Sequence, residues 1–351
     1  MSQTVNYYLR HAIAPGTTKA YLGAAKRYTD WALDNGLTQN GKILVPNERG
    51  LIWYATWAAG KGHTPGYIKS TLSGVSYYFE GHGHPSITKD TFGNTLPTFA
   101  RVLRGISRMR TDEKRERPPL TTDLMKQVLP RLGEANPNLS AATVAALQAA
   151  MTAGVYGLLR ISELMPEQAK KHDPIKDTRA SDVKFYPTQA APEYYTIRLR
   201  TSKCDVFRRS SLIRVFATGT SDCPVAAMLW WMQWRRGRAD PGGPLFRLPS
   251  GKNLTRQVFT AALRRTLVLL GHDGKAYASH SLRAGGAVSL AAAGYGSETI
   301  QMLGRWASQS FMAYLVMSNH TARDAQHAMA TVGPGDVTEE EHRRYRNRFD
   351  E

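Results

Sequence analysis

The sequence predicts a mainly α-helical protein of two domains, with one small antiparallel β-sheet in the second domain. At 351 residues, of which 42% are hydrophobic, the chain is long enough to bury two separate cores. Apolar residues recur at helical spacing over most of the chain, and the alternation typical of strands is confined to one stretch near the middle. A charged segment ending in two prolines, "TDEKRERPP" at residues 111–119, separates the two regions and predicts an extended linker.

Residues 1–110 predict four helices. In "TTKAYLGAAKRYTDWALDNG" the Tyr, Ala and Trp residues fall on one helical face, and Gly36 marks the end of the helix. The segments "PNERGLIWYATWAAGKG", "TPGYIKSTLSGVSYYFEGHG" and "LPTFARVLRGISRMR" predict the other three. The last of them carries Arg101, Arg104 and Arg108 at a spacing that places them on one face. We therefore expect a helical N-terminal domain.

Residues 120–335 predict the second domain. Its first helix lies in "LTTDLMKQVLPRL", where Thr121 or Thr122 can act as the N-cap, and a long Ala-rich helix then ends near "YGLLRISEL". The segments "ASDVKFY", "EYYTIRLRTSK" and "SSLIRVF" alternate like strands, with "KCDVFRR" as the hairpin tip between the last two. From Pro224 onwards the pattern is helical again. Residues 336–351 predict a charged, solvated tail.

The charge of the chain favours a polyanionic partner. The net charge is +18, and residues 1–110 hold 13 Lys and Arg against 5 Asp and Glu. Lys69 and the three arginines of the fourth helix are the candidate DNA-binding residues, with a solvated helix face as the alternative. The N-terminus lacks the apolar core of a signal peptide, so we expect neither secretion nor a membrane anchor. Two isolated thiols, Cys204 and Cys223, favour a reducing compartment.

Six side chains of the second domain are of the types needed to break a phosphodiester bond without a cofactor. An arginine fork can hold phosphate oxygens, a lysine beside other cations can lose its proton readily, and a tyrosine can attack phosphorus. No nucleotide-binding or metal-binding signature occurs, so we expect no cofactor and no metal. The six candidates are Arg160, Lys203, His280, Arg283, Trp306 and Tyr314.

Taken singly, each candidate has a plainer interpretation. Lys203 competes with Lys184 and Lys252 for the role of acid, and a hairpin lysine is usually just solvent-exposed. Tyr314 shares its segment with apolar residues that suit a core, and Tyr295 is a second tyrosine nearby. The arginines can be helix-end cations, the histidine a turn residue and the tryptophan a core aromatic.

The order of the six resembles the tyrosine recombinases, the family of Cre and the phage integrases. "HSLRAGGAVSLAAAG" and "GRWASQSFMAYL" look most like the recombinases of Crypton and DIRS-type mobile elements. The resemblance is strong over residues 150–318 and only architectural before residue 110. It implies a helical core-binding domain and a catalytic domain that form a two-lobed, C-shaped clamp around double-stranded DNA, with residues 111–119 crossing the duplex.

The resemblance also implies a role for each residue. Arg160 and Arg283 would grip the scissile phosphate, and His280 and Trp306 would hydrogen-bond its oxygens. Glu163, one helical turn past Arg160, matches an acidic residue of the family that orients the site.

In the same resemblance Lys203 would protonate the departing 5′-oxygen, and Tyr314 would form a 3′-phosphotyrosine link that needs no ATP. The interval from Trp306 to Tyr314 is one residue shorter than in Cre-like members and matches the mobile-element branch. The segment "SNHTARDAQHAMATVG" after Tyr314 would form a helix exchanged in trans within a homotetramer on two duplexes.

We therefore expect a site-specific DNA recombinase or integrase, of a mobile genetic element. It would act in the nucleus of a eukaryotic host and otherwise in the cytoplasm. The alternatives are a type IB topoisomerase-like or telomere-resolving strand transferase, and a recombinase-derived DNA-binding protein without catalysis. An RNA-binding helical protein is a further alternative, although no RNA-binding signature supports it.

Overall fold

A computed structural model of the chain describes residues 12–109, 117–201, 210–235, 240, 242–315, 323, 326 and 327. The chain divides into two compact units between residues 114 and 115. Both units are mainly helical, and the second contains a small antiparallel sheet, so the predicted fold class is confirmed. Most of the predicted linker, the tail over residues 336–351 and nearly all of the predicted exchanged helix lie outside the described residues.

The first unit contains the four predicted helices and a short hairpin. Asn47 and Thr64 cap the second and third helices, since their side-chain oxygens accept hydrogen bonds from the backbone N–H groups of Gly50 and Tyr67. An aromatic cluster that includes Tyr28, Trp31 and Tyr54 lies in the core. The elements are α1 (Pro15–Asp34), β1 (Thr38–Gln39), β2 (Lys42–Ile43), α2 (Glu48–Gly60), α3 (Pro65–Gly81) and α4 (Pro97–Met109).

The hairpin is an element that our sequence reading does not predict. Its turn is formed by Asn40 at φ +51° and Gly41 at φ +72°, the left-handed conformations that a type I′ turn requires. The signal is present in the sequence as the Asn-Gly pair of "TQNGKI". The strands are two residues long each, which is too short for an alternating pattern to show.

The amphipathic helix α4 separates its apolar and cationic residues. Phe99 and Leu103 are buried in the core of the first unit. Arg101, Arg104 and Arg108 are exposed, as is Lys69 on α3. These four cations are therefore accessible to a polyanion, while their assignment to DNA stays a prediction.

Among its described residues the second unit contains seven α-helices, a three-stranded sheet and three short 3₁₀ helices, at Ala180–Asp182, Gly274–Ala276 and Gln309–Tyr314. The sheet is antiparallel throughout in the order β3–β4–β5, and Thr121 caps the first helix. The elements are α5 (Thr122–Ala135), α6 (Ala141–Tyr156), α7 (Ile161–Leu164), β3 (Val183–Pro187), β4 (Pro192–Leu199), β5 (Ser211–Phe216), α8 (Pro224–Arg235), α9 (Arg256–Leu269), α10 (His280–Ala292), α11 (Ser297–Gly304) and a 3₁₀ helix, Gln309–Tyr314.

The Ala-rich helix α6 is the centre of the second unit. It is buried over nearly its whole length and packs against α5, α8 and α10. Small side chains at most of its positions let three helices approach a single axis. The sheet closes another side of this core with Tyr195, Ile197 and Val215. Buried and exposed residues alternate along β5, whereas in β4 Thr196, between Tyr195 and Ile197, is buried as well.

Two adjacent glycines bring α10 into contact with the backbone around α6. A Cβ atom at Gly285 would lie 1.8 Å from the carbonyl oxygen of Leu120, and one at Gly286 would lie 2.4 Å from that of Val155. The Leu120 N–H also donates to the Ser281 carbonyl at 2.8 Å. The two glycines of "RAGGA" therefore set the second turn of α10 against Leu120 and the end of α6, and candidate site residues stand near both contacts in the sequence.

Replacing Gly286 with Ala is expected to destabilise the second unit by about 1–3 kcal/mol, because the new methyl group meets fixed backbone. Gly133→Ala in α5 is the matched control, since no atom lies within 4 Å of the added Cβ position. It should stabilise the protein by about 0.5–1 kcal/mol. Urea denaturation of the two variants measures both effects, and equal stabilities would show that the close approach of α10 is wrong.

Candidate active site

Arg160 lies in the tight turn between α6 and α7. Helix α6 ends at Tyr156, and Leu158 then takes the left-handed conformation at φ +48°. The N–H of Leu159 donates to the Gly154 carbonyl at 3.0 Å and closes the turn. Arg160 is thus the N-cap of α7, not a cation at the end of the Ala-rich helix. Its side chain is 22% exposed and remains accessible.

The Glu163 carboxylate is hydrogen-bonded to both the backbone and the guanidinium of Arg160. Its carboxylate accepts a hydrogen bond from Arg160 Nη1 at 2.9 Å and one from the Arg160 backbone N–H at 2.9 Å. The Glu163 side chain is only 4% exposed, and its backbone carbonyl accepts from Thr178 Oγ1 at 2.6 Å. A buried carboxylate with bonds at both ends of one residue fixes the direction in which the guanidinium points. The geometry is of the kind expected for a residue that orients the site.

Arg283 is completely buried beneath the site. Its guanidinium carbon lies 4.3 Å from the ring centroid of Trp306, and its Nη2 donates to the carbonyl of Gly304. A Cβ atom at Gly304 would lie 1.5 Å from the Trp306 ring, so only glycine fits there. The cation–π contact and the carbonyl offset the cost of burying the charge.

A small apolar cluster supports the segment that carries Trp306 and Tyr314. Leu158, Ile300 and Phe311 are among its members, and the Tyr314 ring packs against it. The backbone N–H of Trp306 donates to the Gln301 carbonyl at 3.1 Å, which returns the chain towards the site after α11. Leu158 of the α6–α7 turn and the side chains of residues 306–314 thus pack in the same apolar cluster.

His280 and Tyr314 meet at the surface of this cluster. His280 Nε2 and Tyr314 Oη are hydrogen-bonded, and their rings lie edge to face with centroids 5.4 Å apart. Tyr295 is instead 54% exposed in the turn between α10 and α11. The structure therefore joins His280 to Tyr314 and not to the competing tyrosine.

The pKa of His280 is lowered below its ordinary value. Burial is the main cause, followed by the positive charges of Arg283, Arg160, Arg117 and Arg256. The imidazole is therefore neutral at pH 7 and can accept a proton from the hydroxyl bonded to it.

Arg117 and Arg256 are cations of this site that sequence reasoning misses. Both are exposed in the structure. Arg117 lies in the charged run of the predicted linker, and Arg256 begins α9 directly after its N-cap, Thr255. Neither belongs to a motif, so no signal in a single sequence distinguishes them from other exposed arginines.

Lys203 lies outside the described residues, so its role stays a prediction. The hairpin that carries it is present, because β4 and β5 pair as far as Leu199 and Ser211. The two alternative lysines are exposed: Lys184 lies on the outer face of β3, and Lys252 precedes α9. The six catalytic candidates and Glu163 make seven predicted residues of the active site. The structure brings six of them together, all but Lys203.

The described residues contain no group of three or more His, Cys, Asp or Glu arranged to hold a metal ion. Within the same residues, none of the helices combines the length and apolar character that a membrane crossing requires.

Comparison with models of protein families gives no match, and neither does comparison with curated protein sequences. Solved structures do match. The site-specific recombinase XerH, in a post-cleavage complex with palindromic difH, has a TM-score of 0.57 at 14% identity, covering 89% of this chain and 78% of XerH. The Tn1549 transposon integrase with a circular intermediate DNA has a TM-score of 0.52 at 14% identity, covering 87% and 99%. A lambda integrase dimer on a COC′ core site has a TM-score of 0.52 at 13% identity, covering 88% and 75%. The chain has the tyrosine-recombinase fold, as its sequence resemblance implies.

The lowered pKa of His280 predicts a change in the pH dependence of stability. Below about pH 6.5 the unfolded chain takes up a proton on this histidine while the folded chain does not, so stability is lost as the pH falls. His280→Gln should therefore lose less of its melting temperature between about pH 7.5 and about pH 5.5 than the unchanged protein. His272→Gln, which changes an exposed imidazole in the same unit, is the control. An identical pH dependence in His280→Gln would contradict the assignment.

Proposed function

We propose that this protein is a site-specific DNA recombinase or integrase that breaks and rejoins strands through a 3′-phosphotyrosine intermediate. The observation that carries the proposal is the hydrogen bond between the Tyr314 hydroxyl and the neutral imidazole of His280. A nucleophile paired with a base, beside two fixed guanidinium groups, is the minimum that metal-free phosphoryl transfer requires.

The first half of the reaction follows from these positions. Tyr314 Oη attacks the scissile phosphorus while its proton passes to His280 Nε2. Arg160 and Arg283 stabilise the charge that grows on the non-bridging oxygens. The bond from phosphorus to the 5′-oxygen breaks, and Lys203, in its predicted role, gives that oxygen a proton. The products are a 3′-phosphotyrosine and a free 5′-hydroxyl.

Rejoining is the same sequence in reverse. A 5′-hydroxyl gives up its proton to Lys203, in its predicted role, and attacks the phosphotyrosine, and Tyr314 leaves as a phenol that regains its proton from His280. The energy of the phosphodiester bond is kept in the enzyme-bound ester, so the cycle needs no nucleotide hydrolysis. A 5′-hydroxyl from a different strand turns the same step into recombination.

The partner that fits this site is double-stranded DNA. The net charge of +18 and the exposed cations of α3 and α4 favour binding through phosphates, with an affinity that falls steeply as salt rises. We assign the homotetramer on two duplexes, and exchange of the segment after Tyr314 in trans, to the same proposal. Removal of residues 321–351 should then abolish assembly and leave DNA binding.

The mobile-element setting rests on the motif resemblance to Crypton and DIRS-type recombinases. A transposon integrase among the similar structures is consistent with it. A nuclear site of action in a eukaryotic host, and a cytoplasmic one otherwise, follows from that setting. A topoisomerase-like or telomere-resolving enzyme would use the same covalent step, so its products on DNA distinguish it.

Tyr314→Phe is expected to abolish a covalent protein–DNA adduct that the unchanged protein forms on nicked duplexes from its native element, in EDTA. The nick lets the short 5′-hydroxyl fragment diffuse away and traps the intermediate on a denaturing gel. Tyr295→Phe is the matched control and should keep the adduct, because Tyr295 does not contact His280. Binding without any adduct would favour a non-catalytic DNA-binding protein.

Relaxed circles or hairpin ends as the only products would favour the topoisomerase-like or telomere-resolving alternative. Recombinant products that join two duplexes support the recombinase. Intact substrates distinguish these products: a supercoiled plasmid reports relaxation, a linear duplex reports hairpin ends, and a pair of intact duplexes reports recombination.

A further inference from the structure

Arg305 is the one cation of the "GRW" motif that the mechanism above does not use. It ends α11 in the left-handed conformation, at φ +54°, which is unfavourable for any residue with a Cβ atom. A residue other than glycine keeps such a conformation only where its surroundings hold it there. The contacts of the side chain show what those surroundings are.

The Arg305 guanidinium reaches the turn that carries Arg160. Its Nη1 donates to the carbonyl of Gly157 at 3.3 Å, and its Nη2 donates to that of Leu158 at 3.3 Å. Leu158 is itself in the left-handed conformation. One side chain thus ties two turns with left-handed residues together, one before Arg160 and one before Trp306.

The same guanidinium also reaches the carboxylate that orients Arg160. Arg305 Nη2 lies 3.5 Å from Glu163 Oε2, while Arg160 Nη1 lies 2.9 Å from Glu163 Oε1. Both arginine side chains are 22% exposed and the Glu163 side chain is 4% exposed, so solvent screens this trio only partly. One carboxylate is therefore shared between two guanidinium groups.

Because two arginines share the Glu163 carboxylate, the net charge beside a bound phosphate changes. Arg160 and Glu163 alone would form a neutral pair, whereas the trio with Arg305 carries a formal charge of +1. A neutral pair attracts a phosphate weakly, since the carboxylate repels the anion that the guanidinium binds. The second arginine offsets this repulsion.

We propose that Arg305 is a positioning residue which lets Glu163 orient Arg160 without cancelling the positive charge of Arg160 at the scissile phosphate. The inference rests on the proposed function for its place in catalysis. It also explains why the residue immediately before Trp306 is an arginine. Tolerance of the left-handed conformation alone would not require a positive charge there.

The test is a charge-restoring double substitution. The formal charge of the trio is +1 in the unchanged protein, 0 in Arg305→Gln, +2 in Glu163→Gln and again +1 in the double variant. Arg305→Gln should slow single-turnover cleavage of a nicked duplex by about 10- to 100-fold. The double variant should cleave faster than Arg305→Gln despite its additional change, because the charge is restored. A purely structural role for Arg305 predicts that the second change makes cleavage slower still.

Two further variants separate charge from shape. Arg305→Lys keeps the charge and should cleave faster than Arg305→Gln; equal rates would contradict the proposal. Arg131→Gln, which removes the cation of an exposed ion pair with Glu134 on α5, is the matched control and should cleave like the unchanged protein.

A second readout needs no catalysis. Inorganic sulfate at constant ionic strength should raise the melting temperature by binding beside the accessible guanidinium of Arg160. The rise should be smallest in Arg305→Gln and should return in the double variant. If the unchanged protein forms no adduct on DNA, the proposed function fails, and the sulfate series still decides the role of Arg305. A double variant no better than Arg305→Gln in both assays would overturn the proposal.

Discussion

Burial of the Arg283 guanidinium is the constraint on which the rest of the site depends. A charge without exposure to water is tolerated only if the protein supplies replacement partners. The structure supplies the Trp306 ring at 4.3 Å and the carbonyl of Gly304. Those partners fix the end of α11, and the close approach of α10 at Gly285 and Gly286 fixes the helix from which Arg283 projects. The position of Tyr314 follows, because its segment packs on the same cluster.

The charges of the site are better balanced when an anion is bound than they are in the free protein. Burial lowers the pKa of His280, and the charges of four arginines lower it further. The Glu163 carboxylate is paired with Arg160, which is one of the four, and with Arg305. Such an excess of positive charge is a cost to folding that a bound phosphate would relieve. Burial, together with the same cations, keeps His280 neutral. The features that prepare the site for phosphate therefore also prepare the base that deprotonates the nucleophile.

Much of this could be predicted from the sequence, where the signal is local. The paired strands β4 and β5, the Ala-rich α6 and the helix that carries His280 and Arg283 all reappear in the structure. What could not be predicted depends on contacts between distant segments. Nothing near Arg160 indicates that Arg305 reaches its turn, 145 residues later in the chain, or that Arg117 and Arg256 approach His280. The Asn40-Gly41 hairpin is different, since its turn signal is local but its strands are too short to alternate.

The measurement that tests the account most directly is mass spectrometry of the protein–DNA adduct after digestion with protease and nuclease. We expect one modified peptide, containing Tyr314 with its phenolic oxygen bonded to the 3′-phosphate of a nucleotide. We expect attachment at Tyr314 because its hydroxyl is hydrogen-bonded to the neutral imidazole of His280. Attachment to Tyr295 or to another side chain, or through a 5′-phosphate, would contradict it.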